Sequence, residues 1–464
     1  MQTESNMGNV YSERIDALRG MMSMNGWDAV VVTGSDPHAS EYPAPRWKQV
    51  EWLTGFTGEA GDVVVTADHA GLWTDSRYFI QALTQLEDTG VELHKTRVPG
   101  AVSIPQWLSD KAKVVAVTGS VGKSTTKEMI AAVLGSTFKI SKTPANHNND
   151  IGMPMAILSM PLDTEVAVLE MGMNHFREIA YLSDIAHPDV AVIINIGTMH
   201  IEYLGSQLGI RQAKMEIVEG MSPNGMLLLN GDDTLLRYLD QKPQQRITYF
   251  GSSECCHVRA CDIWQDGDKL RFRVQAGKLS FPVALTLEGE HFVGDAMAAI
   301  CVGLKLAVPF DKIVESLASF QNMSGRQEIF REGEYTIIKD CYNAGPESMA
   351  AALGVLGNRH GRRIAVLGDM LELGDCAQAE HYKVGRIAAE KADMVFAYGP
   401  FAGRVIDGTI TGGMPETMGR AFENRDELVK ALKRAAKPGD IILFKASRGM
   451  HLELVLEAFL NKEK

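Results

Sequence analysis

An α/β protein of three domains is what the sequence predicts, and three observations carry that reading. The chain has 464 residues, more than a single core accommodates, so about three domains are expected. Short apolar runs alternate with amphipathic stretches over most of its length, the pattern of parallel α/β sheets. One such run, Val114–Thr118, leads at once into a glycine-rich turn and a helical stripe, the setting of a phosphate-binding loop.

The elements follow in order. An amphipathic stretch places Ile15, Leu18, Met21 and Met22 on one face, and strand-like runs follow at Asp28–Thr33 and Asp62–Thr66, with a polar loop between them. Pro99, Gly100 and Pro105 mark a linker. Beyond it come the Val114–Thr118 strand and a helix with Met129, Ile130, Val133 and Leu134 as its stripe. Apolar strands Val166–Leu169 and Val190–Ile194 precede an irregular strand-rich portion, Arg246–Leu287, and a helix from about Gly294 to Leu306. A third unit begins near Gly325 with strands Tyr335–Lys339, Arg363–Leu367, Met394–Tyr398 and Ile441–Lys445, a second doubly wound pattern. The expected boundaries are 1–110, 111–322 and 323–464.

Composition narrows the function. A net charge of −12 argues against nucleic acid as a main partner, but not against nucleotides, which are held by local amides and one or two lysines. No apolar run approaches the length needed to cross a bilayer, and the first residues lack the basic-then-apolar order of a secretory signal. A cytoplasmic protein without membrane insertion is expected. The six cysteines are scattered. Cys255, Cys256, His257 and Cys261 lack the spacing of a zinc site and read as structural.

Thr118–Thr125 (TGSVGKST) is the strongest local signal. Gly119 and Gly122 let backbone amides approach phosphates, and the helix N-terminus adds its positive end. Lys123 is expected on the β- and γ-phosphates, and the Ser124 hydroxyl on Mg²⁺. Val117 stands where the usual motif has its first glycine. Glu170 and His200 each fall just past the end of a strand of this same unit, where open α/β sheets bind ligands. Taken singly each reads as a surface or capping residue. Together, a carboxylate and an imidazole suit a second Mg²⁺ bridging ATP and an acceptor carboxylate.

The motifs TGSVGKSTTKEM, Thr143-x-x-Asn146-x-Asn148-Asn149, LEMGMNH, NIGTMHIEYLGS and AKMEI follow one another, and GRQE, DCYNAGPESM, VLGDMLELG and KASR continue the series. In this order, over about residues 111–464, they resemble the Mur ligase family, and LGDMLELG resembles the branch that joins D-alanyl-D-alanine to UDP-N-acetylmuramoyl-tripeptide. The resemblance implies a P-loop central domain with a parallel sheet and a Rossmann-like C-terminal domain. Gly119, Ser120, Gly122, Lys123, Ser124, Thr125, Asp295, Arg326 and Asp340 would bind the nucleotide, and Ser124, Glu170 and His200 the metal. Lys123, Glu170, His200 and Lys214 would be catalytic, Lys214 matching a lysine that is often carbamylated. Thr143, Asn146, Asn148, Asn149, Asn343, Lys445, Ser447 and Arg448 would serve the substrates. The chain departs from the family pattern at Asp295 (usually asparagine), Arg177 (commonly glycine) and Gly345 (commonly asparagine or serine).

The first domain follows another pattern. RIDALRGMM, SDPHASEY, WLTGFTGEAGDVVVT and LWTDSRYFIQA, at Arg14–Met22, Ser35–Tyr42, Trp52–Thr66 and Leu72–Ala82, resemble the small α/β N-terminal domain of creatinase and aminopeptidase P. That resemblance implies a non-catalytic domain making self-association contacts through residues 1–110. The catalytic domain that should follow is absent, so an aminopeptidase is not expected. His38, Glu41 and Asp75 then read as loop and capping residues, and Trp47, Trp52, Phe56, Trp73, Tyr78 and Phe79 as core and interface.

The leading expectation is therefore an ATP-dependent amide ligase working through an acyl phosphate. Its partners would be ATP, two Mg²⁺, a UDP-muramoyl-peptide and D-alanyl-D-alanine. Two alternatives stand beside it: a similar ligase with another carboxylate acceptor, because the usual UDP-binding pattern is missing, and an ATP-binding assembly protein without turnover.

Overall fold

The computed structural model describes residues 5–25, 27, 29–36, 44–67, 69–104, 112–222 and 224–460. By its internal contacts the chain divides into two compact units: Met1–Lys113 with Met160–Glu165, and Val114–Ser159 with Val166–Lys464.

The first unit carries a four-stranded sheet in the order β1-β2-β3-β4, made of β1 (Ala29–Val32), β2 (Asp62–Thr66), β3 (Ala70–Thr74) and β4 (Glu92–Lys95). β1 and β3 run antiparallel to β2, whereas β4 is parallel to β3. The amphipathic stretch is the helix Ser5–Asn25. It buries Ile15 and Met22 with Val63, Val65 and Leu72, but Met21 faces outward. Phe56 and Trp73 are core residues, while Trp52 is exposed beneath the Arg14 guanidinium, 4.6 Å from its ring centre. Asp75 accepts from the Arg77 backbone amide and pairs with its guanidinium at 2.8 Å, the role of a loop residue rather than of a helix cap. His38, Glu41 and Pro105 lie outside the described residues.

The second unit holds two sheets. The larger is built from β5 (Lys113–Thr118), β6 (Ile140–Lys142), β7 (Val166–Glu170), β8 (Val190–Ile193), β9 (Met226–Asn230), β10 (Arg246–Gly251), β11 (Val258–Asp266), β12 (Lys269–Ala276) and β13 (Leu279–Leu285). Their order is β13-β12-β11-β10-β9-β8-β5-β7-β6. The strand-rich portion read as irregular is a continuation of this sheet. β10 and β11 extend it in parallel, and β12 and β13 close it as antiparallel meanders, so the central sheet is mixed rather than wholly parallel. The alternating burial along β12 and β13 is that of a sheet with one covered face. The helices Lys123–Gly135 and His291–Lys305 pack together against it, joining Met129, Ile130 and Val133 to Ala296, Met297 and Ile300.

The smaller sheet comprises β14 (Glu328–Glu332), β15 (Tyr335–Asp340), β16 (Arg363–Gly368), β17 (Met394–Tyr398), β18 (Gly419–Phe422) and β19 (Ile441–Lys445), in the order β14-β15-β19-β16-β17-β18. All neighbours are parallel except the β14–β15 hairpin, and both faces are covered by apolar clusters. The carboxyl ends of β7, β15 and β19 carry Glu170, Asp340 and Lys445 to the cavity described next, and the end of β5 leads into the loop that lines it.

Candidate functional site

The phosphate loop is shaped by its own backbone and one asparagine. Gly122 caps the helix Lys123–Gly135 at φ 89°, a left-handed conformation that glycine adopts without strain. A methyl group there would sit 2.7 Å from Asp295 Oδ1. Asn195, at the end of β8, accepts from the amides of Ser120 and Val121 through Oδ1, both at 2.9 Å, and donates to the Val121 carbonyl at 2.9 Å. Ser120 Oγ accepts from the Gly197 amide at 2.9 Å. The loop is thus held to the next strand end by side chains and not only by its own turn.

Lys123 Nζ folds back to the carbonyls of Gly119 (2.9 Å) and Ser120 (3.4 Å). Burial lowers its pKa, opposed by the Glu170 carboxylate. One helical turn on, Lys127 is fully buried and donates to the carbonyls of Thr143 (2.7 Å) and Ala145 (3.2 Å), with Nζ 3.8 Å from Glu170 Oε2. Glu170 itself is 2% exposed. Its Oε1 accepts from Asn148 at 2.8 Å, and its amide donates to Thr143 Oγ1 at 2.9 Å. Its Oε2 is buried and accepts no hydrogen bond among the described residues, so this carboxylate fits a divalent cation that would complete it.

His200 sits at φ 63° at the start of the short helix Ile201–Leu204. Its Nδ1 is 2.6 Å from Glu372 Oε2, a contact from the stretch after β16. Arg326, just before β14, stacks on the Tyr342 ring at 4.0 Å and donates from Nη2 to Ser124 Oγ at 2.9 Å. Lys445 Nζ donates to Asp340 Oδ2 (2.6 Å) and to the Asn343 carbonyl (3.1 Å). Thr198 Oγ1 donates to Glu347 Oε1 at 3.1 Å. These contacts join the larger-sheet and smaller-sheet halves of the unit around one cavity of about 530 Å³.

The cavity walls include Ser120, Gly122, Lys123, Ser124 and Thr125 of the loop. Asn146, Asn148, Asn149, Glu170 and His200 face them, and Asp295, Arg326, Asp340, Asn343 and Lys445 complete the ring. Five residues of the sequence-derived set are not in these walls. Thr143 is buried behind Glu170 and orients it. Ser447 is buried, accepting from the Leu371 amide at 3.0 Å and donating to the Ala344 carbonyl at 3.2 Å. Arg448 projects outward, 3.9 Å from Glu453. Lys214 is fully buried at the end of the helix Gln207–Met215, and burial drives its pKa well below the ordinary lysine value, with Lys123 adding to the effect. Gly119 meets the site through its carbonyl, on Lys123.

Asp295 accepts from Thr126 Oγ1 at 2.6 Å, and burial pushes its carboxyl up to about 7. Asn195, Lys127, Tyr342 and Glu372 escaped the sequence reading as single residues. All four lie inside or next to the quoted motifs, and Lys127 recurs four residues after Lys123, the spacing that puts two side chains on one helical face.

A phosphate loop at the end of a parallel sheet, facing a carboxylate, an imidazole and a second α/β sheet that brings its own arginine and lysine, defines an ATP-dependent ligase. Residues 117–303 match the Mur ligase middle domain, residues 325–448 the Mur ligase, glutamate ligase domain, and residues 14–144 the Creatinase/Prolidase N-terminal domain. The UDP-N-acetylmuramoyl-tripeptide--D-alanyl-D-alanine ligase of Bacillus subtilis is 39% identical over 353 residues, 75% of this chain and 76% of that protein. Its Escherichia coli counterpart is 33% identical, with 75% of this chain and 76% of that protein covered. Crystal structure I of MurF from Acinetobacter baumannii superposes with a TM-score of 0.71 at 31% identity, over 82% of this chain and 87% of that one. MurF ligase from Thermotoga maritima, in complex with ADP, gives 0.68 at 28% identity, over 82% and 91%. The chain belongs to the Mur ligase family, an ATP-using family of amide-bond-forming ligases, joined here to a creatinase-type N-terminal domain.

Proposed function

We propose that the protein joins D-alanyl-D-alanine to the terminal carboxylate of UDP-N-acetylmuramoyl-tripeptide in the cytoplasm, with cleavage of ATP to ADP and phosphate. What carries this reading is the single cavity in which the phosphate loop, Glu170, His200 and Lys445 converge, in a chain that is similar over 75% of its length to ligases with that name.

In this reading the loop amides, Lys123 and Arg326 hold the nucleotide phosphates, and Asp340 with Asp295 lies toward its nucleoside. The acceptor carboxylate attacks the γ-phosphorus, ADP leaves, and the amine of the dipeptide displaces phosphate from the acyl phosphate to form the amide. Asn146, Asn148, Asn149, Asn343 and Lys445 line the space for the substrates, Thr143 and Ser447 support that space from behind, and the outward-projecting Arg448 would meet a substrate only at its outer edge. Ser124, Glu170 and His200 are the residues that would hold Mg²⁺, two ions in all, whose chemistry is to neutralise charge on the transferring phosphoryl group. Burial lowers the Lys214 pKa, which favours the uncharged amine that adds carbon dioxide, and we assign it as the carbamylated lysine. The working domain boundaries are 1–110, 111–322 and 323–464, with residues 1–110 as the self-association surface.

A coupled assay of ADP release with UDP-muramoyl-tripeptide and D-alanyl-D-alanine tests the reading. Turnover is expected to need both substrates and to fall by about 10²–10³-fold or more in Lys123→Ala; a protein that releases no ADP with this pair overturns it. A second reading keeps the chemistry but changes the acceptor. It is favoured by the creatinase-type match over residues 14–144, and release of ADP with another carboxylate but not with the muramoyl substrate would select it.

A further inference from the structure

Away from the cavity, the first unit brings together three side chains for which the ligase reaction has no use. His69 lies just before β3, in the turn that follows β2, and Glu92 and His94 lie two residues apart on β4. Strand alternation sends Glu92 and His94 to the same face of the sheet. His69 Nε2 is 3.2 Å from Glu92 Oε2, and His94 Nε2 is 4.0 Å from that same oxygen. One nitrogen or oxygen from each residue lies within 4.8 Å of the others.

The setting fixes one of these ligands closely. Trp73 is paired with His94 across β3 and β4 and stacks on it at 3.9 Å with 5° between the planes. The Trp73 indole nitrogen donates to the Val102 carbonyl at 2.8 Å, which sets the ring that His94 rests on. Gly71, paired with Glu92, leaves the space the imidazole occupies: a methyl group there would come within 2.9 Å of His94 Nε2.

We propose that His69, Glu92 and His94 bind one divalent transition-metal ion of the zinc class. Two imidazoles and a carboxylate are a zinc donor set, with bonds of about 2.0–2.2 Å. Tetrahedral ligands at that length stand about 3.4 Å apart, between the 3.2 and 4.0 Å separations found here. Magnesium and calcium take oxygen ligands and are poorly served by two imidazoles. Glu92 is largely exposed, so water completes the coordination, and the exposed carboxylate has the freedom to close the wider gap. The bound ion clips the β2–β3 turn to the edge strand β4.

The test uses the full chain, stripped with a chelator, dialysed, and titrated with zinc chloride in excess Mg²⁺, with bound zinc measured by elemental analysis after gel filtration. Wild-type protein is expected to retain one zinc per chain. His69→Ala and Glu92→Gln are each expected to weaken binding about tenfold or more, and the His69→Ala/His94→Ala double variant to lose that zinc, with ADP release unchanged in His69→Ala. Because removing His94 disturbs the Trp73 stack, a second measurement relies on the intact ring: Cu²⁺ should quench the part of the emission missing from Trp73→Phe, and His69→Ala should blunt that quenching. No retained zinc in the wild type, or zinc retained in the double variant, overturns the proposal, as does quenching that His69→Ala leaves unchanged.

Discussion

Asp295 shows how one substitution changes the physics of a phosphate loop. An asparagine is usual at this position in the family, and its amide carries no ionisation to suppress; here a carboxyl is buried against Thr126 and Gly122 and its pKa rises to about 7. At low pH both folded and unfolded chains carry the proton. As pH rises through the ordinary carboxylate range the unfolded chain releases it while the folded chain keeps it, so stability falls until about pH 7 and then levels off. Asp295→Asn removes that cost and keeps an acceptor for Thr126. The expected result is a melting temperature raised more at pH 8 than at pH 5, corresponding to about 1–3 kcal/mol above neutral pH. Equal melting curves at both pH values would contradict it. Glu372 acts on a neighbour in a similar way: its contact at 2.6 Å fixes the His200 imidazole. Glu372→Gln is expected to raise the Mg²⁺ concentration needed for half-maximal ADP release by about 10–100-fold, while ADP affinity measured without metal stays unchanged.

At the scale of elements, the loop between β5 and its helix depends on glycine at one turn and on Asn195 at the adjacent strand end. Gly122→Ala would require a left-handed alanine and a methyl 2.7 Å from Asp295. A loss of about 1–3 kcal/mol in chemical denaturation, together with weakened ADP binding, is expected. The loop, its lysine and its serine were legible in the sequence because a buried strand, two glycines and a helical stripe constrain each other within about two dozen residues. Glu170 and His200 were legible by position, as the residues just past strand ends. Asn195 was not, because its partners are backbone amides some 75 residues away, and such pairings carry no local periodicity. Thr143 and Ser447 were read as substrate residues from motifs, yet each is buried with its hydroxyl engaged by neighbouring backbone. A motif marks where a chain must keep its shape as well as where it touches a ligand.

For the whole molecule, the α/β class and the change of pattern near residue 110 were visible because repeated strand–helix alternation is a long-range signal. The meander β11–β13 was not resolved, since antiparallel strands of mixed polarity lack the apolar runs of the parallel ones. Every wall residue of the cavity belongs to the second unit. Removing residues 1–110 is therefore expected to leave the Kd for ADP within about twofold of the full chain, as measured by calorimetry, while sedimentation of both forms tests the self-association proposed for that segment. A chain that no longer binds ADP after that truncation would show that the site needs the first unit.

That confinement has a consequence for descent as well as for binding. An activation chemistry completed within one unit can be inherited intact while the unit joined to it is exchanged, because no catalytic side chain is lost in the exchange. Selection can then act on what is presented to the acyl phosphate without repeatedly rebuilding the machinery that makes it. A ligase core beside a creatinase-type domain is the kind of lineage such an arrangement permits.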